Sequence, residues 1–319
     1  MQLVLIVLLI GTAGLQDAAG ANDGTQDWPS HTDAGYMAIC LSAANEHRDI
    51  VDWATYHEAR GIDKIYIIDM GLDSMQPELE KAGLIQSGVV EHRHVSMAAV
   101  REDLLKNSGL KIPPNFKQLQ AYELCLRDHR HKHRWMAFID ADEYLTVLEP
   151  AASLRSILAD YEHLGGLGVH WRIFGAAGRI RRPSGRIVED YHMCCAVRSG
   201  EDRHVKSILN TEFAQHFQSV HHANYTGGRV TTNTCGEAIP RYTAAAPCLE
   251  RLALRHYVTK SLWDFTQKLA RGSGMSRRKD WTYFYRVQKM AWQDCRLPAA
   301  WPLGRGPVDE GGLGAVTAS

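Results

Sequence analysis

A chain of 319 residues, 45% of them hydrophobic, carries enough apolar material for a large core, as one α/β domain or two smaller ones. Its 36 basic residues are matched by 36 acidic ones, which excludes a bulk field that recruits nucleic acid or an anionic membrane surface. The N-terminal run Leu3 to Ile10 is unbroken and apolar, and small residues follow it through Ala18-Ala19-Gly20-Ala21. Residues 1–21 therefore read as a signal peptide or short hydrophobic leader, without the usual basic start and too short to span a bilayer comfortably. A buried first strand is the alternative. Residues 22–34 are polar and turn-rich and read as a linker. Seven cysteines, with no Cys-x-x-Cys or Cys/His spacing for zinc, suit a secretory protein with a few disulfides and one odd thiol.

Met37 to Leu41 is an apolar strand. Asn45 is the expected cap of the helix that follows, with Glu46 and Asp49 in its first turn. Ile50, Trp53, Ala54 and His57 lie on one helical face that ends at Gly61, and Lys64 to Ile68 is a second strand ending in Asp69. This is a βαβ unit, and it implies a parallel sheet. A third strand is expected at Val89 to Val95. Pro113-Pro114 precedes a helix from Phe116 to Arg130, and the basic run His129-Arg130-His131-Lys132-His133 reads as a solvated helix end, with a metal or phosphate role left open.

The apolar run Trp135-Met136-Ala137-Phe138-Ile139 then delivers Asp140-Ala141-Asp142-Glu143. In open α/β sheets, ligands bind beyond the carboxyl ends of the strands. Two carboxylates placed there repel each other and are costly to desolvate, and a divalent cation relieves both problems. A helix cap or plain loop acids would give the same short pattern.

A helix over Ser153 to Tyr161 and a strand over Leu167 to Phe174 complete an alternation that spans ~175 residues and argues a doubly wound domain with helices on both faces. Beyond it, Ile180 to Val197 reads as a hairpin around Pro183-Ser184-Gly185, and Val205 to Leu209 as a short strand. Residues 210 to 250 read as loops over the site. Ser261-Leu262-Trp263-Asp264 is a capping-box pattern opening a helix with Phe265 and Leu269. A last helix starts at Asp280 with Trp281, Phe284 and Tyr285. Residues 296–319 lack core-forming material and read as a disordered tail, which leaves 35–295 as the folded domain.

In this order the pieces resemble glycosyltransferase family 92. The likeness rests on Ala44-Asn45-Glu46, Asp52-Trp53 with Tyr56-His57, Phe138-Ile139-Asp140-Ala141-Asp142-Glu143, Trp171-Arg172-Ile173-Phe174-Gly175, Lys206-Ser207-Ile208 and His256-Tyr257 with Lys260-Ser261. Two positions depart from the family pattern. Ala44 stands where the family has lysine, and the segment from Asp69 to Ser74 lacks the family's asparagine.

The resemblance implies a GT-A-like fold, with a mostly parallel sheet and a smaller mixed acceptor-side region, and transfer of a hexose, galactose in the best-known case, from a UDP-sugar to a glycan with inversion. It also implies a secretory-pathway location, in the Golgi lumen or membrane or beyond. Oxygen ligands select a hard cation such as Mn²⁺ or Mg²⁺, with Asp142 the first candidate ligand and Asp140 a ligand or ribose contact. His221 and His256 are candidate further ligands or hydrogen-bonded structural histidines. Asn45, Glu46 and Asp69 stand where the base and ribose would be held, helix capping being the alternative. Lys206 is a candidate phosphate contact, and Lys260 is read as a surface lysine. Trp171 and Phe174 are read as core, the alternative being a wall under a sugar ring. The general base is sought among Glu189, Asp190, Glu201 and Asp202, with Asp202 first and Asp190 next.

Two rival readings are a phosphatase of the haloacid dehalogenase type and an inactive glycan-binding relative. The first wants Thr or Val where this chain has Tyr144. The second is opposed by the intact Asp140 and Asp142.

Overall fold

The computed structural model describes residues 35–196, 200–271 and 279–297. The leader, the linker and the tail from residue 298 lie outside the described residues.

Strand β1 (Met37–Ala43) shows why the chain layers as it does. Met37, Ile39, Leu41 and Ala43 enter one apolar cluster, while Ala38 and Cys40 enter another on the opposite face. A strand apolar on both faces needs cover on both. Helix α1 (Ile50–Glu58) covers the first face with Trp53, Ala54 and Tyr56. Strand β2 (Lys64–Asp69) pairs in parallel with β1, closing the expected βαβ unit. After the short α2 (Gln76–Lys81), strand β3 (Val90–His94) continues the parallel order. Helices α3 (Met97–Ser108) and α4 (Lys117–His129) lie on the second face, where α4 contributes Tyr122, Leu124 and Leu126. Cys125 of α4 is disulfide-bonded to Cys40 of β1.

Strand β4 (Trp135–Ile139) lies parallel to β1 and is buried throughout. Strand β5 (Glu143–Val147) follows after one tight turn, then α5 (Leu154–Ala159), β6 (Gly166–Ile173), α6 (Ile187–Asp190) and β7 (Met193–Cys195). Strand β8 (Val205–Asn210) inserts antiparallel between β4 and β6. The short strands β9 (Ala214–Ser219), β10 (His222–Tyr225), β11 (Thr231–Asn233) and β12 (Ala238–Ile239) come next. Strand β13 (Leu252–His256) pairs in parallel with β6 and antiparallel with β5. Helices α7 (Leu262–Arg271) and α8 (Trp281–Met290) precede β14 (Ala291–Asp294). The main sheet runs β12-β11-β6-β8-β4-β1-β2-β3, a mixed α/β architecture with a parallel half built from β4, β1, β2 and β3.

Four sequence expectations are corrected. Asn45 does not cap α1: it adopts a left-handed conformation at φ 58°, and the helix begins only at Ile50. Residues 180–197 form no hairpin, because α6 intervenes and β7 pairs with the distant β14. The 210–250 segment contains four strands, too short and polar to announce themselves by alternation; Thr231–Asn233 extends the main sheet beside β6. In the His129–His133 run, His129 stacks on Tyr66 at 3.6 Å and the Tyr66 hydroxyl is 2.8 Å from His133 Nε2. Burial pushes both imidazoles down to about 4, so they are neutral packing groups and not a solvated basic end.

The cysteine expectation holds. Cys40–Cys125, Cys194–Cys295 and Cys235–Cys248 are paired, and Cys195 is the odd buried thiol. Among the described residues no helix is long and apolar enough to cross a membrane.

Candidate active site

The carboxyl end of β4 gathers an unusual set of buried charges. Asp140 Oδ1 accepts from Gln118 Nε2 at 2.5 Å, the Tyr122 hydroxyl at 3.0 Å and Lys206 Nζ at 2.8 Å. Lys206 is only 2% exposed and also stands 3.8 Å from Glu143 Oε2. Burial alone would lower its ammonium, but Asp140 and Glu143 hold it above the ordinary lysine value. The same lysine outweighs desolvation at Asp140 and keeps that carboxyl below its usual range. Glu143 goes the other way: burial and the charge of Asp140 push it up to about 8. Its Oε2 accepts from the Asp140 backbone N–H at 2.8 Å, so the protonated acid clamps the turn that carries both aspartates.

Asp142 faces different partners. Lys268 Nζ lies 2.5 Å from Oδ2 and His256 Nε2 3.5 Å from Oδ1. Although burial opposes ionisation, Lys268 and His256 hold this carboxyl well below the carboxylate norm. Its main chain is fixed by the Tyr257 N–H, which donates to the Asp142 carbonyl oxygen at 2.8 Å. β13 and the residues after it thus set the position of Asp142 from the side opposite β4.

Asp142 opens onto a cleft of about 640 Å³. Its walls come from the loop after β1 (Asn45 to Asp49), the segment after β13 (Tyr257 to Lys260), α7 (Trp263, Asp264, Gln267, Lys268), Arg182 and Leu72. The lining cations Arg48, Arg182, Lys260 and Lys268 are matched by the carboxylates Glu46, Asp49, Asp142 and Asp264. Asp49 receives both Arg182 and Lys260, and Arg182 also approaches Asp264 at 3.6 Å. On the rim the Arg48 guanidinium lies over the Trp263 ring at 4.3 Å.

The sequence-predicted residues divide accordingly. Asn45, Glu46 and Asp142 line the cleft. Asp140 stands beside it, its Oδ1 occupied by internal donors. Lys206 lies in the interior as the counter-charge of Asp140 and is not among the cleft-lining residues. Lys260 is buried against Asp49 and is not a surface lysine. The Asp69 carboxylate is fully buried; it accepts from Gly71 N and Met75 N, both at 2.9 Å, and pairs with His92 at 3.0 Å. It shapes the loop after β2 instead of facing a ligand.

The general-base candidates fare poorly, and none of Glu189, Asp190, Glu201 and Asp202 lines the cleft. Asp190 pairs with Arg179 at 3.4 Å. Glu201 is held by Tyr283 at 2.8 Å and Arg286 at 2.5 Å. Asp202 has no exposed surface and sits near the Arg172 guanidinium. Phe174 is core, as expected, while Trp171 is only partly buried.

For a divalent cation the donor set fits in part. Asp142 and His256 are spaced as neighbouring ligands of one ion are, and burial lowers the imidazole, which favours the form with a free lone pair, while Asp142 opposes that shift. Among the described residues, however, no three His, Cys, Asp or Glu side chains converge as a metal cage. His221 points its Nδ1 at the Val205 carbonyl oxygen, 2.9 Å away, and contacts Trp171 instead of completing such a cage.

Sequence reasoning missed Arg48, Arg182 and Lys268. For Lys268 a signal existed: it lies four residues after Asp264 on the helix that the capping box had located, so both share one face. Arg182, on an irregular segment, gave none.

No protein-family model matches the chain, and no curated protein is significantly similar to it. Solved structures give partial likenesses. One is glucosyl-3-phosphoglycerate synthase from Mycobacterium tuberculosis in complex with Mn²⁺, UDP and glucosyl-3-phosphoglycerate, at 17% identity and TM-score 0.23 over 34% of each chain. Core-mannan synthase A from Aspergillus fumigatus, in a Mn/GDP form, aligns at 10% identity and TM-score 0.27 over 47% of this chain and 45% of that one. Mouse xyloside xylosyltransferase 1, in its apo form, aligns at 10% identity and TM-score 0.26 over 56% and 67%. The chain spans under half the length of the first two. Likenesses of this extent assign no activity.

Proposed function

We propose that this chain is a glycosyltransferase of GT-A type that takes a hexose, galactose in the leading case, from a UDP-sugar to a glycan, with inversion. One observation carries the reading. The cleft beside Asp142 is rich in charge yet balanced, with cations and carboxylates interleaved along the same walls and paired with one another. A nucleotide-sugar diphosphate is dianionic, and together with a divalent cation it is neutral, which is the ligand charge such a cleft accepts at least cost.

In this reading the chain's own groups divide the work. Asp142 and His256 would hold Mn²⁺ or Mg²⁺ with Asp140 beside them, and the ion, when bound, would offset charge developing on the departing UDP. Lys268 leaves Asp142 and turns to the diphosphate, a move of one flexible side chain on α7. Arg182 and Lys260, anchored by Asp49, give the cleft a fixed positive wall. Asn45 and Glu46 at the end of β1 accept and donate hydrogen bonds to the base and ribose. The protonated Glu143 keeps the Asp140–Asp142 turn in register without adding a further negative charge. The three disulfides support a secretory-pathway location, where such bonds persist.

The test is UDP release from UDP-galactose, UDP-glucose and UDP-N-acetylglucosamine with Mn²⁺, then with chelator. Release that needs the metal and is lost in Asp142→Ala, with circular dichroism unchanged, is expected. Turnover unaffected by chelator would remove the metal from the account.

A further inference from the structure

Beside Asp142 the structure holds a row of rings, none of which is among the residues that line the charged cleft. Tyr242 lies near-parallel to His204 (centroids 5.8 Å apart, 22° between planes), and His204 is near-parallel to Trp171 (5.0 Å, 19°). Trp171 meets His256 at 4.5 Å, and His256 is the residue that contacts Asp142. His221 closes the row from the side, 5.6 Å from Trp171 and 6.0 Å from Tyr242. The outer end is open: Tyr242 is 45% exposed, and the rings of His204, His221 and Trp171 are only partly buried.

The hydrogen-bonding capacity of this row can be read from its backbone partners. His221 Nδ1 lies 2.9 Å from the Val205 carbonyl oxygen and His204 Nδ1 lies 3.1 Å from that of Glu201. A carbonyl only accepts, so in each ring Nδ1 carries a proton, and a neutral His221 keeps Nε2 as an acceptor. Burial keeps His221 neutral by pushing its imidazole down to about 3. The row therefore offers apolar ring surface, an imidazole acceptor on His221 and an exposed phenol. That is the chemistry of a neutral sugar, with one apolar face and hydroxyl donors around its edge. It contrasts with the charged lining of the cleft.

We propose that Tyr242, His204, Trp171 and His221 form the acceptor subsite, and that it takes the terminal ring of an uncharged glycan. The assignment rests on the glycosyltransferase reading above: an acceptor hydroxyl must come within ~3–3.5 Å of the transferred carbon, and Trp171 against His256 is the inner end of the subsite, the part that adjoins Asp142. Tyr242 is the outermost contact and supplies affinity, and His204 fixes the orientation of the sugar.

The experiment is saturation-transfer NMR on the full chain with UDP and Mn²⁺, using the methyl glycosides of β-galactose, β-glucose, β-N-acetylglucosamine, α-mannose and α-fucose as probes. At least one should show protein contact, with Tyr242→Ala and His204→Ala each weakening it fivefold or more. UDP stabilisation in a thermal melt should be equal in wild type and variants. Contact from none of the glycosides, or contact undiminished in both variants, overturns the subsite. Loss of glycoside contact in the variants, in a protein that UDP fails to stabilise, sustains the subsite and sinks the donor reading instead.

Discussion

Glu143 gives the sharpest test of the buried charge set. It has no exposed surface, its Oε2 accepts from Asp140 N at 2.8 Å, and its Oε1 has no hydrogen-bond partner. Burial and the Asp140 charge raise its carboxyl from 4.5 to about 8, so the folded protein takes up a proton that the unfolded chain has lost across that window. The stabilising contribution is fully present below the unfolded value and is lost as pH rises towards the folded one, at a slope approaching ~1.4 kcal/mol per pH unit. Glu143→Gln keeps the shape and the acceptor for Asp140 N but cannot ionise. Between pH 5 and pH 8 the wild type should lose roughly 2–4 kcal/mol that the variant retains. Urea unfolding of both proteins at the two pH values reads this directly, since the titrations outside the cluster of Glu143, Asp140, Asp142 and Lys206 are common to both. Parallel pH dependence would refute the raised carboxyl and, with it, the neutral clamp under the aspartate turn.

Three further outcomes follow from the same geometry. Lys206→Met should cost about 1–3 kcal/mol in urea unfolding, because it removes the counter-charge of Asp140, whose side chain stays 32% exposed; no measurable loss would mean that solvent alone carries that charge. Lys268→Ala should bind Mn²⁺ several-fold more tightly in calorimetry without nucleotide, since its ammonium and the ion compete for Asp142. Unchanged affinity would show that they do not. Replacing Cys235 and Cys248 by serine should remove about 2–3 kcal/mol of stability, the cost of a disulfide closing a short loop, and no change would mean that the loop is already ordered in the unfolded chain.

The parallel half of the sheet was legible because β1, β2 and β4 are continuous apolar runs and α1 repeats its apolar residues at helical spacing. The place of Asp140 and Asp142 followed from β4 alone. What failed was non-local. β7 finds its partner about a hundred residues away in β14, and the short strands between residues 214 and 239 are defined by their neighbours, not by their own pattern.

At the site, charge could be read from residue type but burial could not. Lys206, in a strand that is buried at every position, was indistinguishable in sequence from a lysine reaching into a cleft. Asp69 ended a strand as a ligand-binding acid would, yet its oxygens are used up by Gly71, Met75 and His92. The ring row from Tyr242 to His256 joins five separate segments, and no local spacing could have assembled it.

The most direct measurement is a thermal melt of wild type and Asp142→Asn with UDP-galactose, UDP-glucose, GDP-mannose and free phosphate, each with and without Mn²⁺. The account predicts that a UDP-sugar stabilises the wild type by several degrees only when Mn²⁺ is present, and that Asp142→Asn loses the shift while keeping its own melting point. Equal stabilisation without the metal, or a full shift in Asp142→Asn, would contradict it.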